Sequence, residues 1–230
     1  MKAVTFAICC ALICTCKLSA QTSWNVKAGQ EMKDAISPAV KFRYPQFVSG
    51  SVYFKNGIVS QAQLDFNLLN EEMQFINPNG DTLSIDNEAT INYITINNDT
   101  FFYSKGYLEL LPGNASVKLA KKQRLKIGDI KKIGGYDQAS SASAITSYSA
   151  INTGGEYTKI NQRADILLLK ETTYYIGDNY NHFLQANKKN LMKMFSEKES
   201  LIANFLEEKK IRFNNEGDLK ELINFLQKTL

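Results

Sequence analysis

The sequence predicts an α+β protein, in which an antiparallel β-meander forming a curved or barrel-like sheet is followed by a small three-helix module. Short alternating runs of apolar and polar residues fill positions 48–133, and turn dipeptides such as Asn56-Gly57 separate them. After position 181 the apolar period becomes helical. We therefore assign residues 1–20 to a signal peptide, 21–180 to a β domain and 181–230 to a helical module docked on the sheet.

The first twenty residues have the layout of an export signal. They are MKAVTFAICCALICTCKLSA, in which Lys2 precedes an apolar run of 14 residues and Ser19-Ala20 precede Gln21. Such a run is too short to span a bilayer as a helix. We expect cleavage between Ala20 and Gln21 and a periplasmic or extracellular protein. All four cysteines leave with this segment, so we expect neither disulfides nor thiolate metal sites in the mature chain.

Turn signals divide residues 48–133 into short strands. Asn56-Gly57 predicts a hairpin, and the strand after it places Leu64 and Phe66 on an apolar face and Asp65 on a face exposed to solvent. Further turns are predicted at 78–81 and 97–99, and further strands at 107–111, 116–120 and 124–127.

Residues 134–155 interrupt this pattern with GGYDQASSASAITSYSAINTGG. These residues are mostly small and polar, so they can bury little surface. The composition predicts a flexible surface loop. The β-branched and aromatic residues at 166–169 and 172–176 predict that a strand resumes after it.

Spacing and caps predict the helical module. The first helix is placed over 183–195, Ser196 and Glu199 form a capping-box pattern for the second, and Asn215 starts the third. The third helix carries an apolar stripe with i, i+3, i+4, i+7 spacing that must pack on another surface. The stripe consists of Leu219, Leu222, Ile223 and Leu226, and Tyr174 and Tyr175 are its expected contacts on the sheet.

The tail contains the phrases LMKMFSEKESLIANFLEEKKIRF and NEGDLKELINFL. With the signal peptide, the N-G-punctuated sheet and the Ser/Ala-rich loop, this Lys-rich tail resembles secreted proteins of Gram-negative bacteria to which no activity is assigned. The resemblance implies export and this fold. It implies nothing about a reaction or a ligand.

The sequence offers few residues that could carry out catalysis. His182 is the only histidine, which excludes multi-histidine metal sites, and no nucleophile motif or phosphate-binding glycine loop is present. His182 is either a base beside Asp178 or a polar residue at a helix start, and we favour the second. The carboxylates Asp81, Asp86 and Glu88 match no calcium loop and are interpreted as turn residues. We expect no cofactor, no metal and no enzymatic activity.

Two groups of residues are candidate binding sites. Aromatic residues near the junction of sheet and helices are candidates to stack on a sugar or an apolar ligand, or to hold an interface together. They are Tyr174, Tyr175, Tyr180 and Phe183. A basic cluster is a candidate anion-binding patch, with protection of an exposed strand against aggregation as the favoured alternative. It consists of Lys118, Lys121, Lys122, Arg124 and Lys126.

The predicted function is that of an exported, non-enzymatic binding or envelope-associated protein. The alternative is a periplasmic carrier that holds an apolar molecule between the curved sheet and the helices. A carboxylate-dependent hydrolase ranks third. The net charge of +4 falls to +2 after loss of Lys2 and Lys17, so no nucleic-acid partner is expected; the predicted partner is an envelope component or an apolar small molecule.

Overall fold

The computed structural model describes residues 22–27, 30, 32–113, 116–133, 139–140 and 164–229. Its strands are β1 (Ser23–Val26), β2 (Val48–Phe54), β3 (Val59–Asn67), β4 (Glu72–Ile76), β5 (Thr82–Ser84), β6 (Ile91–Ile96), β7 (Asp99–Tyr103), β8 (Tyr107–Leu110), β9 (Lys118–Ile133), β10 (Ala139–Ser140), β11 (Ala164–Gly177) and β12 (Phe183–Gln185). Its helices are α1 (Met32–Ala35), α2 (Pro38–Lys41), α3 (Lys188–Met194), α4 (Glu199–Lys209) and α5 (Glu216–Thr229).

The strands form one antiparallel sheet in the order β1-β11-β9-β8-β7-β6-β2-β3-β4-β5, with β10 beside β9 and β12 beside β11. This confirms the predicted α+β class with a curved sheet, which is not closed. The sheet curls far enough for the amide of Leu125 in β9 to donate to the carbonyl of Leu68, just beyond β3, at 2.8 Å. The connection from β5 to β6 departs from a simple meander, because β6 pairs with β2 and not with β5, the strand before it in the chain.

The hairpin turns lie where the turn dipeptides predict them. Gly57 and Gly80 have φ angles of +85° and +88°, and Asn97 has +52°. Glycine adopts this left-handed conformation without a steric penalty, and asparagine tolerates it. These three turns join β2 to β3, β4 to β5 and β6 to β7.

The two strands predicted at 116–120 and 124–127 are one strand, β9, and it lies inside the sheet. β11 pairs with it from Lys118 to Lys132, and β8 pairs with it at Lys121 and Ala120. The interpretation of its lysines as protection of an exposed edge is therefore wrong. Most of the basic residues are tolerated on an interior strand because carboxylates pair with them, from Glu109 of β8, Glu171 of β11 and Glu71 just before β4.

The first core lies on what we call the inner face of the sheet, the face that carries Leu125 of β9 and Leu168 of β11. It also includes Leu64, Met73, Ile94 and Phe101, none more than 2% exposed. The N-terminal segment, for which the sequence predicted no element, covers part of it through Val26, Ile36 and Tyr44.

Asp65 is buried, although the alternation of β3 predicted that it faces solvent. It is 1% exposed, and its Oδ1 accepts the amide hydrogens of Tyr44 at 3.1 Å and Phe66 at 2.7 Å. Its Oδ2 has no hydrogen-bond partner among the described residues. The expectation fails because the N-terminal segment, which is distant in sequence, covers this position.

The second core joins the C-terminal helices to the same inner face. The stripe residues Leu219, Leu222, Ile223 and Leu226 are all at most 4% exposed. They pack with Leu111, Val117 and Leu119 around β9 and with Ile176 of β11. The long β9–β11 pair thus contributes one end to each core.

The boundaries of the helical module differ from the prediction in two places. Residues Phe183–Gln185 pair with β11 as a strand, so the first helix begins at Lys188. The capping box at Ser196 does not form, because Ser196–Lys198 make a 3-10 turn and Ser196 makes no cap hydrogen bond to the start of α4. The third cap does form, with Asn215 Oδ1 accepting the amide hydrogen of Asp218 at 3.0 Å.

The predicted signal peptide, 1–20, lies outside the described residues, as does the predicted loop 134–155 except for β10. Within the described part of the chain, no helix is long and apolar enough to cross a membrane.

Candidate functional site

The four candidate aromatic residues do not form one surface. Tyr174 lies on the inner face against the second core, whereas Tyr175 lies on the outer face with Phe102 and Phe183. Phe183 is 8% exposed, and its ring centroid is 5.5 Å from that of Phe102. Tyr180 is 75% exposed. Their separation follows from the strand geometry, because consecutive residues of a strand point to opposite faces.

His182 belongs to the turn between β11 and β12. Its Nδ1 lies 3.0 Å from Asp178 Oδ2, and Asp178 Oδ1 accepts the amide hydrogens of Tyr180 and His182. These contacts make Asp178 the residue that closes the turn. The prediction that His182 is a polar residue at a helix start is wrong about the element, because a strand follows it and the first helix begins at Lys188, but its contacts still favour a structural role over that of a catalytic base.

Three basic residues of β9 that point to the outer face are paired with carboxylates. Lys122 Nζ lies 2.6 Å from a carboxylate oxygen of Glu71. Arg124 contacts Glu171 at 2.6 Å and Glu71 at 3.5 Å, and Lys126 contacts Glu171 at 3.2 Å. This charge balance weakens the prediction of an open anion-binding patch.

The two remaining basic candidates have different surroundings. Lys118 donates a hydrogen bond to Asn181 Oδ1 and lies 5.7 Å from the ring centroid of Phe102. Lys121 points to the inner face, where its Nζ lies 2.9 Å from Glu109 Oε1. Of the five candidates, only Lys121 therefore belongs to the space between the two cores.

A polar layer separates the two cores, and we define it as Arg43, Asp99, Glu109, Lys121 and Lys170. Along β9, Lys121 lies between Leu119 of the second core and Leu125 of the first. Along β11, Lys170 lies between Leu168 and Ile176 in the same way.

Glu109 is the most buried member of the polar layer, with a side chain 7% exposed. Arg43 binds it through two nitrogens, Nε to Oε2 at 2.8 Å and Nη2 to Oε1 at 3.0 Å, and Lys121 binds Oε1 at 2.9 Å. Burial alone raises the pKa of Glu109, but the hydrogen bonds from Arg43 and Lys121 outweigh it and hold the pKa below its ordinary value. Glu109 is thus ionised and has both oxygens occupied.

Lys170 is the unbalanced charge of this layer. It forms no ion pair with any described carboxylate, since Glu109 is taken by Arg43 and Lys121, and Asp99 accepts from the hydroxyl of Tyr44 at 2.7 Å. Burial lowers the pKa of Lys170, and the positive charges of Arg43 and Lys121 lower it further, whereas the negative charge of Glu109 opposes this shift. The layer therefore carries three cations against two carboxylates.

Among the described residues, no strand pairs with the edge of β11 beside this layer. β1 covers the edge at Ile166–Leu169 and β12 covers it at Tyr175–Gly177. The amide of Lys170 donates to the carbonyl of Thr22, and the carbonyl of Tyr174 accepts from the amide of Ala186. Backbone groups alternate in direction along an antiparallel strand, so those of Thr172 point the same way. Neither the N–H nor the C=O of Thr172 has a backbone partner among the described residues.

An open cleft of about 350 Å³ lies over this gap. Its described lining is Thr172, Thr173, Tyr174, Gln185, Ala186, Phe213 and Asn214. Burial raises the pKa of the Tyr174 hydroxyl, and Glu216, to which this hydroxyl is hydrogen-bonded, raises it further, so the group stays protonated. Hydroxyls, amides and a free strand edge suit a polar ligand better than an acyl chain.

Sequence reasoning identified Tyr174 and Lys121 but missed Arg43, Glu109 and Lys170. One signal was available, because Lys170-Glu171 interrupts a strand that is otherwise apolar or β-branched, ILLLKETTYYI. A charge in the middle of such a strand indicates a polar break in the core. No pattern in the sequence around Arg43 indicated that it would belong to the polar layer.

Within the described ranges, no cluster of three or more His, Cys, Asp or Glu side chains could hold a metal ion. Asp81 instead takes part in the turn after β4, where its amide donates to Asn77 Oδ1 at 2.8 Å. Comparison with models of known protein families, with curated proteins and with solved structures gave no match.

Proposed function

We propose that this protein is an exported, non-enzymatic binding protein that takes up an extended segment of another polypeptide at the open edge of β11. The observation that carries the proposal is the backbone of Thr172, which has no partner among the described residues and lies in a cleft between two short strands that pair with the same edge. Strand addition of this kind obtains affinity from main-chain hydrogen bonds and specificity from neighbouring side chains.

The dimensions of the gap set the length of the segment. β1 ends its pairing at Leu169 and β12 begins at Tyr175, so five residues of β11 lie between them. Thr22 and Ala186 occupy the two ends of this stretch. Residues 171–173 of β11 lie between these two contacts, so a partner segment pairs with β11 over at most three residues, at about 3.3 Å each.

The alternative of an apolar carrier receives less support. The described cleft has the volume expected for a ligand pocket, but four of its seven lining residues are Thr, Gln or Asn. The buried apolar side chains of the inner face pack against one another in the two cores. A hydrolase is also less favoured, because the described lining contains no carboxylate.

The test is selection of linear peptides from a random library against the mature protein, followed by amide hydrogen exchange of Thr172 and Tyr174 in the complex. We expect selected peptides to slow exchange at these two amides. Thr172→Pro removes the outward N–H and should abolish binding, because proline is tolerated at a free edge but cannot donate. Thr172→Ala retains the N–H and is the matched control.

Two results would contradict the proposal: equal binding to the Thr172→Pro variant, or protection confined to the helices. Circular dichroism of both variants must first match that of the original protein. Export is tested separately, by N-terminal sequencing of protein purified from its host, where a chain beginning at Gln21 is expected and one beginning at Met1 would contradict it.

A further inference from the structure

The curled sheet brings β3 and β9 together without pairing them as strands. In the order of the sheet, β2, β6, β7 and β8 lie between them, and no strand pairing joins β3 to β9 in the described part of the chain. The amide of Leu125 nevertheless donates to the carbonyl of Leu68 at 2.8 Å. We call this junction the seam and define it by five residues, Leu68 and Glu71 on the side of β3 and Lys122, Arg124 and Leu125 on the side of β9.

Ion pairs on both faces of the sheet cross this junction. On the outer face, one carboxylate oxygen of Glu71 lies 2.6 Å from Lys122 Nζ, and the other lies 3.5 Å from Arg124. On the inner face, Arg43 binds Glu109 of β8 at 2.8 Å and 3.0 Å, and its own amide donates to a carbonyl of β3. A strand ladder repeats backbone hydrogen bonds along its length, whereas charged side chains take a large part in closing the seam. Salt weakens such attraction where the charges are partly exposed, as they are for Glu71 and Arg124.

The turn that carries Glu71 is held in a strained conformation. Glu71 has a φ angle of +59°, in the left-handed region that residues with a side chain seldom adopt and that glycine adopts without a steric penalty. Asn67, which is buried, fixes the turn because its Oδ1 accepts the amide hydrogens of Leu69 at 3.0 Å and Asn70 at 3.2 Å. Glutamate at this position therefore has a backbone cost, and its ion pairs across the seam offset that cost.

We propose that the seam is a latch controlled by ionic strength, in which Glu71 sets how often β3 and β9 separate while their other strand partners stay in place. β9 remains paired with β11 from Lys118 to Lys132, and β3 remains paired with β2 and β4. Local openings of this kind occur at free energies below that of global unfolding. Separation uncovers Leu68 and Leu125, which are 2% and 5% exposed, so the latch controls access to the first core. It lies on the opposite side of β9 from the edge of β11, and it goes beyond the proposed function without depending on it.

The test is amide hydrogen exchange of the original protein, followed by NMR at about 20 mM and about 500 mM KCl. The amide of Leu125 crosses the seam. The amide of Leu169 in β11 is the reference, because it points to β9 when the amide of its neighbour Lys170 points to Thr22. We expect exchange of Leu125 relative to Leu169 to be about 5-fold faster at the higher salt concentration, because screening weakens the ion pairs of the seam.

Two substitutions of Glu71 separate the latch from the stability of the whole fold. Glu71→Gln removes the charge and should raise the exchange ratio of Leu125 to Leu169 about 5-fold at the lower salt concentration, as expected for the loss of partly exposed ion pairs. The same variant should lose most of its response to salt. Glu71→Gly also removes the backbone strain, so the midpoint of urea unfolding should change little while the exchange ratio still rises. A residue that only stabilised the whole fold would change both amides together.

The matched control is Glu171→Gln, which removes the other carboxylate bound by Arg124. Glu171 lies on β11, whose pairing with β9 does not involve the seam, so its loss should change the exchange ratio less than about 2-fold. Equal acceleration in Glu171→Gln and Glu71→Gln would overturn the inference, as would an exchange ratio that salt leaves unchanged. Exchange of Leu125 and Leu169 at one common rate would also overturn it, since the seam would then open only with the whole sheet.

Discussion

The first core and the second core lie on the same face of the β9–β11 pair but are covered by different parts of the chain. The curled sheet and the N-terminal segment cover the first, whereas the C-terminal helices cover the second. At the middle of the pair, where Lys121 and Lys170 lie, the N-terminal segment contributes the charged side chain of Arg43, which binds Glu109. The comparison indicates why charged groups and an open strand edge persist there: this stretch of the sheet has no apolar cover of its own.

The largest expected effect tests whether the two cores fold as one unit. Leu222→Ala removes a fully buried side chain from the second core and should lower the free energy of unfolding by about 2–5 kcal/mol. Trp24, the only tryptophan, packs on the first core, while far-UV circular dichroism reports mainly the helices. Both signals should change in one transition during urea unfolding, because β9 and β11 belong to both cores.

The control for this experiment is Leu201→Ala on α4, where the side chain is 45% exposed and the effect should stay within about 0.5 kcal/mol. A shift of the helical transition that leaves the Trp24 transition in place would show two independent units. The helices would then be removable at Asn181 without loss of the sheet.

Asp65 should give the first core a pH dependence that the second core lacks. Burial raises its pKa from 3.8 to about 6, so between these values the folded protein binds a proton that the unfolded chain does not. Its contribution to stability is therefore full below about pH 4 and is lost as the pH rises to about 6, a change of about 3 kcal/mol. Asp65→Asn should remove this slope from urea midpoints measured between pH 4 and 7. Parallel profiles for the two proteins would refute it.

The polar layer should respond to loss of its central charge. Glu109→Gln keeps the size of the side chain but leaves Arg43 and Lys121 without their carboxylate, at a cost of about 2 kcal/mol in urea unfolding at pH 7. Because the pKa of Glu109 is lowered, the same stabilisation should be lost in the original protein as the pH falls below 4.5.

The matched control on the outer face is Glu171→Gln, whose side chain is 32% exposed and should contribute less than about 1 kcal/mol. If the two substitutions had equal effects, the buried layer would be no different energetically from the surface ion pairs of β9.

The smallest effect concerns the helix starts in the second core. Asn215→Ala should cost about 1 kcal/mol, because Asn215 Oδ1 caps α5 through the amide of Asp218. Ser196→Ala should cost less than about 0.5 kcal/mol, since Ser196 does not cap α4. Thermal melting of both variants checks the difference, and a larger loss at Ser196 would contradict it.

Local patterns in the sequence were sufficient for the elements whose interactions are short in range. The turns at Gly57, Gly80 and Asn97, the buried stripe of α5 and its cap at Asn215 all depend on residues within a few positions of each other. Predictions from these local patterns were wrong where a residue distant in sequence determines the structure. Residues Phe183–Gln185 form a strand because β11 offers an edge, and Asp65 is buried because Tyr44 covers it.

The candidate site belongs to this second class. The sequence by itself determined that cations cluster on β9 and that a polar pair, Lys170-Glu171, interrupts β11. Only the tertiary structure decided that Arg43 reaches Glu109 across 66 positions and that Lys170 forms no ion pair with a described carboxylate. The physical reason is that an ion pair depends on distance in space, whereas a helix stripe or a tight turn depends on spacing along the chain.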